Sequence, residues 1–276
     1  MDYGNGCWES EPIVDPLLTD MATSIVRIYT AEGFVVAADG REYNPITKSV
    51  GRDNCRKIFT ISQERRRFTY AISGTNMLTL PGQRSASFDL LPVIHQVFTN
   101  LCDGEFENLE DYCTAAGKAF RSLPARQTDI PTILYMDGYS GRTPQRAYIN
   151  IFHDGRRPER FPEEIHAGST PGCGSTTIFN MLANQTRGPI ARYRSASWNV
   201  RRNERSLSDA IEIAKSWMNA HCSPEAIQID PVNCMAVGGT AHLCINRPTG
   251  EFEWMFRDPN TLEWSACDSP SGPTIP

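Results

Sequence analysis

Apolar runs in the first quarter of the chain predict a β-hairpin followed by a third strand. Residues 24–29 are rich in β-branched and aromatic side chains, and residues 33–40 form a second, nearly continuous apolar run. The short Gly-containing segment between them predicts a tight turn, so that the second strand returns beside the first. A third β-rich run begins at Lys57. The hairpin therefore brings the residue before its first strand close to the residue that ends its second strand.

Further along the chain, apolar positions recur at helical spacing. Helices are predicted over residues 88–101 with Ser87 as the cap, over 108–123, over 174–184, and from Ser206 with Asp209 as a rough capping box. Strands are predicted over 131–138, 146–152 and 237–245. Strands and helices thus alternate in blocks. That order predicts an α+β fold in which two packed sheets are flanked by helix layers, and it argues against a doubly wound parallel sheet.

Three polar residues at the ends of the first strands form a candidate catalytic group, the Thr23–Asp39–Lys57 trio. Thr23 precedes the first strand, Asp39 follows the second and Lys57 begins the third. If the third strand pairs beside the hairpin, the Lys57 amine can reach both other residues. A threonine hydroxyl needs a base, and the α-amine of an N-terminal threonine, with a pKa of about 7.7–8.0, can be that base. Each residue type is also ordinary at strand ends and turns.

A series of segments along most of the chain resembles, in the same order, segments of proteasome β-type subunits and their bacterial ring-protease relatives, within the N-terminal-nucleophile (Ntn) hydrolase superfamily. The first segments are Thr23-Ser-Ile-Val, Gly33-Phe-Val-Val-Ala-Ala-Asp39-Gly-Arg41, Lys57-Ile-Phe and Ala71-Ile-Ser-Gly74. The later ones are residues 131–138, residues 146–152, His166-Ala-Gly-Ser169 and the Gly-Gly strand over 237–245. The resemblance covers roughly residues 22–257. It implies a four-layer αββα sandwich of two antiparallel sheets flanked by helices.

The resemblance also implies roles for the trio. Thr23 would be the nucleophile of a threonine-type peptidase, with Asp39 and Lys57 as its catalytic partners. Cleavage between Ala22 and Thr23 would expose the threonine amine. Residues 1–22, which carry five acidic residues and no Lys or Arg, would then be an acidic leader and possible propeptide.

Further residues receive roles through the same resemblance. Arg41 would support the aspartate, the backbone N–H of Gly74 would stabilise the developing oxyanion, and Ser169 would hydrogen-bond near the terminal amine. The second aspartate of the family pattern has no clean counterpart, since Asp230 is displaced from the expected position. A single domain is expected over residues 23–262, followed by a flexible Ser/Pro-rich tail over 263–276.

Three functions remain open. The first is a self-processed threonine peptidase that acts on peptides or unfolded proteins, assembled in a homo- or hetero-oligomeric ring and possibly served by an ATP-dependent unfoldase. The second is an amidohydrolase of the same superfamily acting on a small amide. The third is a catalytically silent structural subunit. The complete trio favours the first two, whereas Ala22 in place of the common glycine and the missing second aspartate favour the third.

Composition narrows the possible partners and location. A net charge of −5 gives no reason to expect nucleic-acid binding, and no apolar run approaches the roughly 18 residues of a membrane helix. The five histidines show no metal-ligand spacing, so neither a metal nor another cofactor is expected. The nine cysteines form no C-x-x-C pair, and with no signal peptide they indicate reduced thiols in a cytoplasmic protein.

Overall fold

The structure is a computed structural model, and it describes residues 23–44, 49–63, 66–74, 77–79, 87–101, 109–120, 131–151, 159–168, 172–249 and 252–267. The predicted leader over 1–22 lies outside these residues.

The first sheet has six strands and contains the predicted hairpin. Its strands are β1 (Ile25–Thr30), β2 (Gly33–Ala38), β12 (Gly172–Cys173), β13 (Ala241–Asn246), β14 (Phe252–Arg257) and β15 (Trp264–Cys267). They are ordered β12-β1-β2-β13-β14-β15. β1 and β2 pair along their whole length, from Ile25 opposite Ala38 to Thr30 opposite Gly33. This register confirms the hairpin.

The second sheet has five strands. These are β5 (Ile58–Gln63), β6 (Arg66–Gly74), β9 (Thr132–Ser140), β10 (Thr143–Ile151) and β11 (Glu159–Pro162), in the order β11-β10-β9-β6-β5. Two short pairs lie outside both sheets, namely β3 (Tyr43–Asn44) with β4 (Ser49–Val50), and β7 (Met77–Thr79) with β8 (Ser87–Asp89). Every strand pair among the described residues is antiparallel.

Helices cover the outer face of each sheet. The helices are α1 (Leu90–Leu101), α2 (Leu109–Phe120), α3 (Thr176–Asn184), α4 (Leu207–His221), α5 (Pro224–Ile229) and α6 (Pro231–Cys234). α1 and α2 share an apolar core with the second sheet, and α3 and α4 share one with the first sheet. A third core lies between the sheets, where Ile25 and Val36 pack near Ile58 and Ile133. This arrangement confirms the four-layer αββα sandwich. No helix in the described ranges is both long and apolar enough to cross a membrane.

Of the two predicted helix caps, one is confirmed and one is wrong. Ser206 accepts a hydrogen bond from the N–H of Asp209, and the Asp209 carboxylate accepts one from the N–H of Ser206, so the predicted capping box is confirmed. The prediction that Ser87 caps the first helix is wrong. Ser87 pairs with Thr79 in a strand ladder, so its backbone is extended and α1 begins three residues later.

The chain remains ordered beyond the predicted end of the domain. A flexible tail is expected from residue 263, but Trp264–Cys267 form β15 and pair with β14. The indole N–H of Trp264 also donates to Asn219 of α4, at 3.4 Å. These contacts hold the strand against the first sheet, so this part of the tail prediction is wrong. Residues 268–276 lie outside the described residues.

A buried ion network joins the two sheets at the level of Arg27. The Arg27 guanidinium donates to Asp137 at 2.6 Å and to Glu163 at 2.7 Å, and Arg146 donates to Asp137 at 2.6 Å. Burial raises the pKa of Asp137, but the charges of Arg146 and Arg27 outweigh it and leave that pKa below its ordinary value. The carboxylate is therefore ionised and fixes β1 against β9.

Candidate active site

Asp39 lies immediately after β2 and is completely buried. Its Oδ1 accepts hydrogen bonds from the Ser24 N–H and the Lys57 ammonium, both at 2.9 Å. Its Oδ2 accepts from the N–H groups of Arg41 and Gly238, at 3.1 and 3.2 Å. Four donors therefore converge on this carboxylate.

Lys57 immediately precedes β5 and is 8% exposed. Its Nζ lies 2.9 Å from Asp39 Oδ1 and 3.5 Å from Thr23 Oγ1. Pairing of the third strand, β5, beside the hairpin is one possibility that the sequence raises. In the structure β5 instead forms an edge of the second sheet. Facing sheets lie about 10 Å apart, a gap that a lysine side chain entering between them can largely cross. Lys57 therefore reaches the other two residues from across the sandwich.

Thr23 lies two residues before β1 and is 5% exposed, so the structure brings all three side chains of the trio together in a buried site. The ammonium of Lys57 points at the Thr23 hydroxyl oxygen while its charge is balanced by Asp39. An ammonium in this position stabilises negative charge that develops on the oxygen when it loses its proton. The arrangement is suited to making a threonine nucleophilic.

The other predicted site residues are placed less directly. Arg41 supports Asp39 through its backbone N–H, whereas its guanidinium pairs with Asp53 at 2.7 Å. The Asp39 oxygens already have four donors, which leaves the guanidinium to bind elsewhere. Gly74 ends β6 with a φ of 84°, a conformation that glycine adopts without strain, but no described contact joins its N–H to Thr23. Ser169 lies outside the described residues.

The displaced Asp230 is not part of the trio. Its carboxylate accepts a 2.5 Å hydrogen bond from the Ser175 hydroxyl and a 3.0 Å bond from the Asn233 amide. Within the described part of the chain, no direct contact links Asp230 to Thr23. The site therefore lacks a second aspartate of the kind that the family pattern contains.

A buried Ser24–His221 pair behind the trio was not predicted from the sequence. Ser24 Oγ lies 2.6 Å from His221 Nδ1 and accepts a bond from the Trp217 indole N–H at 2.8 Å. The His221 Nε2 accepts from the Ser175 N–H at 2.9 Å, so in the neutral ring Nδ1 carries the proton and donates to Ser24. Strand alternation was the available signal, because it places Ser24 on the opposite face from Thr23, toward α4.

Cys173 is a second residue that sequence reasoning missed. It pairs with Ile25 at the start of β1, and its thiol lies 3.4 Å from the Ser73 hydroxyl. Burial raises the pKa of this thiol above its ordinary value. The thiol is thus a neutral neighbour of the site and not a thiolate nucleophile. The seven described cysteines are all free, and no cluster of metal-ligating side chains occurs in the described ranges.

His221 makes the stability of the domain depend on pH. Burial lowers its pKa to about 3, against about 6.5 when unfolded. The neutral ring therefore contributes its full stabilisation above the pKa of the unfolded state. This stabilisation is lost as the pH falls toward the pKa of the folded state. Between about pH 7.5 and pH 5.5 this residue alone removes about 1.4 kcal/mol of unfolding free energy. Urea unfolding at both pH values measures the loss.

A matched pair of variants isolates that contribution. In His221→Gln the difference in stability between the two pH values should shrink by about the same 1.4 kcal/mol, whatever the absolute stability. His166 is exposed, so His166→Gln should keep the wild-type difference. An unchanged difference in His221→Gln would show that this ring is not the titrating group.

Solved structures of Anbu proteins share this fold. An Anbu described as an ancestral beta-subunit, from Yersinia bercovieri, matches with a TM-score of 0.52 and 14% identity, covering 90% of this chain and 88% of that one. A Gly-1 mutant of Anbu from Hyphomicrobium sp. strain MC1 matches at 0.50 and 14%, covering 88% and 86%. A helical assembly of the Anbu complex from Pseudomonas aeruginosa matches at 0.51 and 13%, covering 81% of each chain.

At identities of only 13–14%, these likenesses establish the αββα sandwich fold alone. No protein-family model and no curated protein matches the chain. The assignment to the proteasome β-type subunits is therefore wrong as a statement of family. What the comparisons support is the fold that Anbu also has.

Proposed function

We propose that this chain is an Ntn hydrolase that cleaves amide bonds, with Thr23 as the nucleophile once the Ala22–Thr23 bond has been cut. The observation that carries the proposal is the position of the Lys57 ammonium, 3.5 Å from Thr23 Oγ1 and 2.9 Å from Asp39 Oδ1. This geometry places a buried, balanced cation at the oxygen that must become nucleophilic. It coincides with a fold in which that threonine lies just before the first strand of the sandwich.

Each step of the proposed reaction uses groups of the site. The Thr23 Oγ attacks the substrate carbonyl carbon, and its proton passes to the free α-amine of the same residue. The N–H of Gly74 is the proposed donor to the oxyanion. When the tetrahedral intermediate collapses, the C–N bond breaks, the leaving amine takes the proton and an ester on Thr23 remains. Water then attacks this ester and returns the free hydroxyl.

The same chemistry accounts for the removal of residues 1–22. The Thr23 hydroxyl attacks the carbonyl of Ala22, the acyl group moves from nitrogen to oxygen, and water hydrolyses the resulting ester. The products are a free threonine amine and a leader that ends in a carboxylate. Ser169 is proposed to hydrogen-bond near that amine.

Peptides and unfolded proteins are the proposed substrates, and copies of this chain the proposed partners. The Pseudomonas aeruginosa Anbu structure is a helical assembly, which supports self-association here. A ring or other closed oligomer and an ATP-dependent unfoldase remain predictions, as does a cytoplasmic location. Size-exclusion chromatography with light scattering tests the assembly, and a monomer at all concentrations would contradict it.

A catalytically silent subunit is the second candidate. It is favoured by Asp230, whose carboxylate is occupied by Ser175 and Asn233 and leaves the trio with one aspartate. The two candidates differ in whether the chain processes itself and turns over substrate.

Intact-mass measurement of the assembled protein tests the proposal. Wild-type protein should lose the mass of residues 1–22, whereas Thr23→Ala should retain the full chain because it has no hydroxyl to attack Ala22. Thr23→Ser retains a hydroxyl and should still process. A wild-type protein that keeps residues 1–22 would favour the silent subunit, and loss of the same residues in Thr23→Ala would show that another protease removes them.

A further inference from the structure

A cavity of about 220 Å³ lies beside the Gly238–Gly239 pair, at the end of α4. Its lining includes Arg41, Cys222, Gly238, Gly239, Arg257 and Leu262. Two arginines line this space, and no Asp or Glu belongs to the lining drawn from the described residues. The cavity is therefore positively charged on its walls.

Arg257 is the more deeply buried of the two arginines. It ends β14 and is only 2% exposed. Its Nε donates to the Asn219 side-chain oxygen at 2.7 Å, and its Nη1 lies 3.4 Å from the Gly239 carbonyl. Among the described residues these are its only acceptors, and both are neutral. A guanidinium has five N–H donors, so most of its capacity is unused by the part of the chain described.

The other buried arginines show how unusual this is. Arg27 and Arg146 are both held by the carboxylate of Asp137, and Arg27 also by Glu163. Buried charges in proteins are normally paired in this way, because an uncompensated charge away from water is costly. Arg257 is buried to the same degree and has no carboxylate partner in the described ranges. The missing negative charge can be provided by a ligand.

We propose that this cavity binds a small oxyanion, a phosphate or a carboxylate, against the guanidinium of Arg257. The planar fork of a guanidinium matches two oxygens of such a group. The volume is smaller than that of typical drug-sized sites and suits an anion of a few heavy atoms. Arg41 also lines the cavity, but its charge is already paired with Asp53, so Arg257 is the anchor for the anion.

The cavity is next to the trio but separate from it. Gly238 lines the cavity and also donates its N–H to Asp39. Its φ of 156° is a backbone conformation that residues with a Cβ rarely adopt, so a glycine suits this position. The oxyanion site does not depend on Thr23 being a nucleophile, and binding can be measured in a protein that has no activity.

Isothermal titration of the full chain with inorganic phosphate and with acetate, at constant ionic strength set by chloride, tests the proposal. One-to-one saturable binding of either anion is expected, and the anion that binds more tightly identifies its source as phosphate or carboxylate. Arg257→Gln should abolish binding, and Arg257→Lys should weaken it about tenfold because a lysine cannot bind two oxygens as a fork. Arg201 is exposed and does not line the cavity, so Arg201→Gln should bind like wild type.

A measurement on the wild-type protein covers the case in which Arg257→Gln does not fold. Crystals grown with selenate should show an anomalous peak within hydrogen-bond distance of the Arg257 guanidinium. The proposal is overturned if neither phosphate nor acetate saturates, if binding survives unchanged in a folded Arg257→Gln protein, or if the selenate lies elsewhere.

Discussion

Lys57→Ala is expected to reduce the turnover of a fluorogenic peptide by about 10²–10⁴-fold, the range that a positioned proton-transfer or electrostatic group contributes. The physical reason is the loss of the ammonium 3.5 Å from Thr23 Oγ1. Without it, the hydroxyl loses the cation that stabilises its developing negative charge. The same change should also slow the removal of residues 1–22, since both reactions need the same oxygen.

The prediction must be separated from simple unfolding. Lys57→Ala leaves Asp39 buried with three backbone N–H donors and, among the described residues, no ion-pair partner. Lys57→Arg restores the positive charge but not the position of the Nζ, so it should recover stability and not turnover. Lys215→Ala removes a lysine that pairs with Glu212 at the surface and should leave turnover unchanged. Full turnover in a folded Lys57→Ala protein would remove Lys57 from the mechanism.

Asp137→Ala is expected to destabilise the domain by about 3–5 kcal/mol, the usual cost of removing one partner from a buried ion network. Its carboxylate is the shared acceptor of Arg27 and Arg146, which are 1% and 5% exposed. The variant removes the carboxylate that both arginines share. Urea denaturation monitored by tryptophan fluorescence measures the change.

Two further variants show whether the loss of stability comes from the buried arginine charges that Asp137 no longer balances. Glu212→Ala breaks an exposed pair with Lys215 and should change stability by at most about 1 kcal/mol. Replacing Asp137 together with Arg27 and Arg146 by apolar residues of similar volume should recover much of the loss, because no buried charge then remains. Asp137→Ala with a cost below about 1 kcal/mol would show that the network is not important for stability.

Sequence reasoning succeeded where structure is decided locally. The β1–β2 hairpin follows from two apolar runs and a short Gly-containing turn, and the α4 capping box follows from the spacing of Ser206 and Asp209. Both depend on residues that are close along the chain. The αββα layering followed from the block order of the elements, which limits how apolar faces can be covered.

Sequence reasoning failed where segments that are far apart along the chain come into contact. The position of β5 in the second sheet places Lys57 across the sandwich from the hairpin, and a local apolar pattern does not encode how the two sheets face each other. The Ser24–His221 contact joins residues 197 positions apart, and strand alternation indicates only the face on which Ser24 lies, not its partner. The same holds for Asp39, whose fourth donor comes from Gly238. The residues of the trio could be proposed from sequence, but the direction from which Lys57 arrives could not.

The origin of Lys57 in the opposite sheet has a consequence for maturation. Thr23 and Asp39 belong to the first sheet, so neither half of the sandwich contains the complete set of groups. On the proposed function, a nascent chain cannot cut itself until both halves have docked. Only a molecule whose two sheets have packed together can then remove its leader, so loss of the leader reports that folding is complete.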